Sequence, residues 1–151
     1  MRHDLRPVPL RRPSAWAVIA LAAWLGAPAW AKGAEAVEPI RFARGASSAE
    51  VRGAVTRGER ALYGLEARAG QRMSVRIAAP ESNAAFQIYA PGARPEMREF
   101  GLEVAGRALP GVGEGDDAKR WTGMLPQSGA YLLVVGATRG NATYRLTIEV
   151  R

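Results

Sequence analysis

Three polar side chains near the end of the chain have the chemistry of contact: Ser128, Tyr131 and Arg139. A serine hydroxyl can donate to a carboxylate, a tyrosine joins an apolar ring to a hydroxyl, and a guanidinium can meet a carboxylate with two parallel hydrogen bonds. Ser128-Gly129-Ala130-Tyr131 opens the apolar run "YLLVVG", and Thr138-Arg139 lies in the turn that follows it. What these residues can do is bounded by what is missing. The only histidine is His3 and there is no cysteine. Beyond the first residues a Ser-His-Asp or Cys-His nucleophile is therefore ruled out, and so are the usual zinc ligand sets. Carboxylates remain, but Asp116 and Asp117 are neighbours on a loop and point apart, which makes a poor acid–base pair. No enzyme activity, cofactor or metal is expected. The residues suit binding.

The first residues read as an export signal. Arg2, Arg6, Arg11 and Arg12 precede the apolar stretch "SAWAVIALAAWLGAP", and Ala29-Trp30-Ala31 has the small-x-small pattern of a cleavage site. The stretch is short for a bilayer core of about 30 Å, so no membrane anchor is expected after cleavage. Residues 1–31 are expected to leave as a signal peptide and the product to be periplasmic. Of 21 basic residues four leave with it, and of 14 acidic ones only Asp4, which leaves 17 against 13, a balance of +4. Nothing in the order of residues shows the clustered basic stripe of a nucleic-acid binder, and no nucleic-acid partner is expected. Arginines 52, 72, 76 and 145 alternate with apolar residues and read as the solvated face of a sheet.

What must hold Ser128 and Arg139 in place is a set of short strands. Met73, Val75 and Ile77 alternate with Arg72, Ser74 and Arg76, and Tyr144, Leu146, Ile148 and Val150 alternate with Thr143, Arg145, Thr147 and Glu149. Ala49, Val51, Gly53 and Val55 repeat the pattern. Period two with one face apolar is the mark of a half-buried strand. "YLLVVG" is apolar on both faces and reads as central in its sheet. Turn signals at Arg57-Gly58-Glu59, Ala69-Gly70-Gln71, Ser128-Gly129 and Arg139-Gly140-Asn141 separate these runs. The fold class expected is all-β: a compact antiparallel β-sandwich of about eight short strands over residues 40–151, after a flexible leader at 32–39. The segment 90–118, dense in Pro and Gly, is long for a connection inside a compact domain. "FGLEVAG" within it suggests a short edge strand, and "GVGEGDDAK" a solvated hairpin tip.

Three stretches together resemble a known family. They are "RFARGASSAEVRGAVTRGERALYGLEARAGQRMSVRI" (41–77), "FQIYAPG" (86–92) and "LPQSGAYLLVVGATRGNATYRLTIEV" (125–150), and they resemble the periplasmic inhibitors of goose-type (g-type) lysozyme. The most specific parts are Phe42–Ala49, Ala69–Gln71 and the Ser-Gly-x-Tyr element at 128–131. The resemblance implies a β-sandwich that binds a g-type lysozyme and blocks its cleft, protecting peptidoglycan. It implies partner contacts from Ser128, Gly129 and Tyr131, with Thr138 and Arg139 second. An architectural reading stands beside it: Gly129 supplies a positive φ, Ser128 caps the turn and Tyr131 plugs the end of the sandwich. The alternative for the whole chain is a sandwich module like the prepeptidase C-terminal domains, binding carbohydrate or an exported protein without enzyme activity. Its weakness is aromatic content, since Trp121 is the only tryptophan beyond residue 31.

Overall fold

The computed structural model describes residues 36–151, so the signal peptide expected at 1–31 lies outside the described residues. Among the described residues there are ten strands and no helix. They are β1 (Glu38–Pro39), β2 (Ser48–Val55), β3 (Arg60–Ala67), β4 (Arg72–Ala78), β5 (Ala84–Tyr89), β6 (Arg94–Arg98), β7 (Gly101–Ala105), β8 (Arg120–Met124), β9 (Gly129–Ala137) and β10 (Ala142–Val150). Two four-stranded sheets form the sandwich, ordered β1-β3-β9-β5 and β2-β10-β4-β8, and β6 pairs with β7 as a separate hairpin. All pairings are antiparallel except the two-residue β1, which runs parallel to β3 at Tyr63 and Gly64. Glu38 and Pro39, at the end of the segment expected to be a leader, thus join the sheet, and Ile40 N–H donates to Gly64 O.

The alternating residues fill the space between the sheets. Met73, Val75 and Ile77 face Leu146 and Ile148 from the same sheet and Leu65, Phe86, Ile88, Leu133 and Val135 from the other, all buried. One polar link crosses this core: the hydroxyls of Tyr63 on β3 and Tyr144 on β10 lie 2.6 Å apart. Burial, and then the bond to Tyr63, holds the Tyr144 phenol above the ordinary phenol range. Room for this pair is made by Gly53, which stands opposite Tyr144 on β2. A Cβ at Gly53 would come within 2.5 Å of the Tyr144 hydroxyl and 3.1 Å of the Tyr63 hydroxyl.

β9 is buried on both faces. Tyr131, Leu133 and Val135 enter the main core, while Leu132 and Val134 point away from it and form a second cluster with Leu62 and Tyr89. The β6–β7 hairpin lies over that second cluster through Ala93, Leu102 and Val104. "FGLEVAG" is therefore a strand, as expected, but its work is to roof the outer face of the β3-β9-β5 sheet. The rest of the 90–118 segment differs in part from expectation. Residues 114–117 are exposed turn residues, as expected, but the stretch around them is anchored: Leu109, Val112 and Ala118 are buried. The stretch 107–118 runs along the free edge of β5, where Ala90, Ile88 and Phe86 N–H donate to the carbonyls of Arg107, Val112 and Ala118. An unpaired edge is a template for aggregation, and this edge is covered by the chain itself.

The packing at Gly53 yields a test. Gly53→Ala is expected to lower the unfolding free energy by about 1–3 kcal/mol, the usual cost of overfilling a packed core. Chemical denaturation measures it, and adding Tyr144→Phe, which removes the nearest atom, should restore part of the loss.

Candidate functional site

The turns of the sandwich collect at its two ends, and the residues expected to make contact divide between them. Ser128 and Gly129 open β9, and Thr138 and Arg139 follow its last residue. A strand of nine residues advances about 3.4 Å per residue, which puts the two groups roughly 30 Å apart. β9 is paired without interruption to β3 from Gly129 to Gly136, so the chain does not fold back to bring them together.

At the first end the Ser-Gly-x-Tyr element is held by its own bonds. The Tyr131 hydroxyl donates to Gln127 O at 2.7 Å and accepts from Gln127 N–H at 3.2 Å. Ala69 N–H donates to Ser128 Oγ at 2.9 Å, tying this loop to the β3–β4 turn. Gly129 has a φ of +140°, and a Cβ there would meet Pro91 at 3.0 Å. The Tyr131 ring, expected to lie against a partner, is 1% exposed and belongs to the core. A tyrosine that opens a two-face-buried strand must place its ring on one of those faces, and only its hydroxyl reaches the loop. Ser128 itself is exposed and keeps a hydroxyl hydrogen to donate.

The second end is built around a residue that sequence reasoning passed over. Asn83, 3% exposed, is the one buried polar side chain among the described residues. Its Nδ2 donates to Arg139 O at 3.3 Å and to Asn141 O at 2.8 Å, while Thr138 N–H donates to Asn83 O at 2.8 Å. Asn141 Oδ1 accepts from Arg57 N–H, linking this turn to the β2–β3 turn. The Arg139 side chain is exposed and donates through Nη2 to Glu81 O at 3.0 Å. The signal for Asn83 was present in "ESNAAF": a turn ending in Asn directly before an apolar strand, with Ser82 at a φ of +51°.

Beside Thr138 runs a groove of about 480 Å³, lined among others by Arg60, Gln87, Glu114 and Phe100. Tyr89 hydroxyl donates to Oε1 of Gln87, one of the lining residues, at 2.9 Å. Burial, and then the charge of Glu114, raises the Tyr89 phenol, against the opposing pull of Arg60. Phe100, at the tip of the β6–β7 hairpin, is 93% exposed. A large aromatic ring left in water is more common at a protein-contact surface than in a folded interior. No group of three or more His, Cys, Asp or Glu side chains is assembled among the described residues that could hold a metal ion.

Among the described residues the chain is a small β-sandwich whose turns are exposed at both ends. No family model and no curated protein matches the chain, but solved structures do. A periplasmic inhibitor of g-type lysozyme, PliG from Aeromonas hydrophila, is 34% identical, with 76% of this chain and 96% of that one covered and a TM-score of 0.58. Salmonella Typhimurium PliG is 24% identical over 75% of this chain and 96% of its own, with a TM-score of 0.51. A mutant of Escherichia coli PliG is 22% identical over 77% and 100%, with a TM-score of 0.50. The chain belongs to the PliG family of periplasmic inhibitors of g-type lysozyme.

The bonds of Tyr131 carry a prediction of their own. Tyr131→Phe keeps the ring in the core and leaves Gln127 N–H and C=O without their partner. The expected loss is about 1–2 kcal/mol of stability, read by thermal or chemical unfolding, with the loss of slow amide exchange confined to residues 127–129.

Proposed function

We propose that the protein binds a g-type lysozyme and blocks its active-site cleft with the end of the sandwich that carries Thr138 and Arg139. It performs no chemistry of its own and acts by occupancy. The reading of the family function rests on the similarity to the Aeromonas inhibitor. The choice of end rests on one observation: Arg139 projects from a turn fixed through Asn83, with the exposed Phe100 ring across the neighbouring groove. A cleft that cuts glycan with a carboxylic acid offers an arginine a charged acceptor. One guanidinium N–H is used on Glu81 O, and the group has five, so enough remain for a two-point contact. A turn already ordered by buried hydrogen bonds loses little freedom on binding, which favours tight association. Arginine and aromatic side chains are also the residue types that carry most binding energy at such surfaces.

A second reading uses the opposite end. Ser128 is exposed and its loop is fixed by Tyr131 and Ala69, so it too is prepared to enter a cleft. The two ends are too far apart to enter one cleft together.

The experiment titrates protein purified from the periplasm against a g-type lysozyme acting on bacterial cell walls, with Arg139→Ala, Phe100→Ala and Ser128→Ala alongside. Near-stoichiometric inhibition is expected from the parent. Arg139→Ala and Phe100→Ala should each raise the concentration for half inhibition by about 10- to 30-fold, the range of an interface hot spot, and Ser128→Ala by less than about threefold. The reverse pattern would assign the cleft to the Ser128 end. Undiminished lysis at micromolar excess of the parent would reject the inhibitor function.

A further inference from the structure

The outer face of the β2-β10-β4-β8 sheet gathers arginines that are far apart in the chain. Arg52 on β2 stands directly opposite Arg145 on β10, and Arg76 on β4 directly opposite Arg120 on β8. Arg72 lies at the corner of the same face, in register with Met124. Like charges directly opposite each other on neighbouring strands are destabilising, and this face has two such pairs. The acidic groups facing them are Glu50 and Glu149. Glu50 sits between Arg52 and Arg145, at 2.9 and 3.4 Å, and relieves the first pair. Glu149 is engaged by Arg151. Arg76 and Arg120 have neither an acidic partner nor a hydrogen-bonded one among the described residues. Around them Ser74, Thr122 and Thr147 line a hollow of about 340 Å³, and the Ser74 and Thr122 hydroxyls bond to each other at 3.0 Å. Met124, 57% exposed, stands in register with Arg72 at the edge of the same face.

We propose that this face docks on an anionic phospholipid surface, with Arg76 and Arg120 meeting headgroup phosphates at the centre of the contact. Four strands about 4.8 Å apart present a broad sheet rather than a cleft. A sheet of cations and hydroxyls matches a plane of phosphates, in a compartment bounded by membranes. The exposed Met124 favours a bilayer over a dissolved polyanion, because a thioether gains from the apolar boundary beneath headgroups and gains nothing from a polymer in water. Binding of this kind is peripheral and electrostatic. It needs no lipid anchor and leaves the Arg139 end of the sandwich free.

The test is sedimentation of the purified protein with vesicles of phosphatidylcholine alone or mixed equally with phosphatidylglycerol. Binding is expected only to the mixed vesicles and should fall steeply between about 0.01 and 0.15 M salt. Each arginine near such a surface is worth about fivefold in partitioning. Arg76→Gln/Arg120→Gln should therefore lower it at least about 20-fold, with thermal unfolding no earlier than in the parent and lysozyme inhibition unchanged, and Met124→Ser should lower it further. Equal sedimentation with neutral vesicles, full binding by the double variant, or no binding at all would overturn the proposal. So would retention on duplex DNA without binding to vesicles. Because inhibition is measured separately, loss of the membrane reading and loss of the inhibitor reading give different results.

Discussion

Everything in this molecule depends on a strand that has no polar face. From Tyr131 to Val135 every side chain of β9 is buried, so both sides of its sheet must be covered. The second sheet covers one side, and residues 94–105 return as a hairpin to cover the other. The same return places residues 107–118 along β5, where they satisfy backbone groups that would otherwise form an open edge. What looked like an oversized connection is thus required by the composition of β9. Shortening it would expose Leu132, Val134 and Leu62 together. The hairpin that solves the burial problem also lifts Phe100 into solvent, across a groove from Thr138.

Period-two alternation was enough to read the main strands and their inward faces, because each of those strands has one wet face and one dry one. β2, β4 and β10 could be read from Val51, Met73, Val75, Leu146 and Ile148 alone. β9 was legible as central for the opposite reason, its lack of any wet face. Outside "FGLEVAG", the segment from Ala90 to Ala118 was not legible. Its buried residues, Leu109, Val112 and Ala118, are isolated among Gly and Pro and follow no period, since they pack from an irregular path along another strand. Arginines 52, 72, 76 and 145 were legible as a solvated sheet face, but Arg120 and the pairing across strands were not. Arg52, Arg76, Arg120 and Arg145 lie far apart in the chain, and only the strand order brings them side by side.

The candidate contact residues teach a similar lesson about what a motif reports. Ser-Gly-x-Tyr is a compact solution to starting a buried strand: Gly129 turns the chain, Tyr131 fills the core and reaches back to Gln127, and Ser128 ties in the adjacent turn. Three of its features are architectural whatever the loop also touches. Arg139, by contrast, is held through its backbone and one bond to Glu81 O, and its turn is shaped by Asn83, 56 residues earlier in the chain. A short motif shows where the chain must be shaped; the residue that shapes an exposed turn can sit on a different strand altogether.

The strand order has a consequence for how the protein is made. β9 lies between β3 and β5, and β10 between β2 and β4, so the centre of each sheet follows both of its neighbours in the sequence. Neither sheet can close until the last hairpin has emerged, and the pairings it makes span long stretches of chain, which slows folding. A polypeptide delivered N-terminus first stays unfolded for almost its whole length. That is the condition in which an exported chain travels, and this strand order favours it.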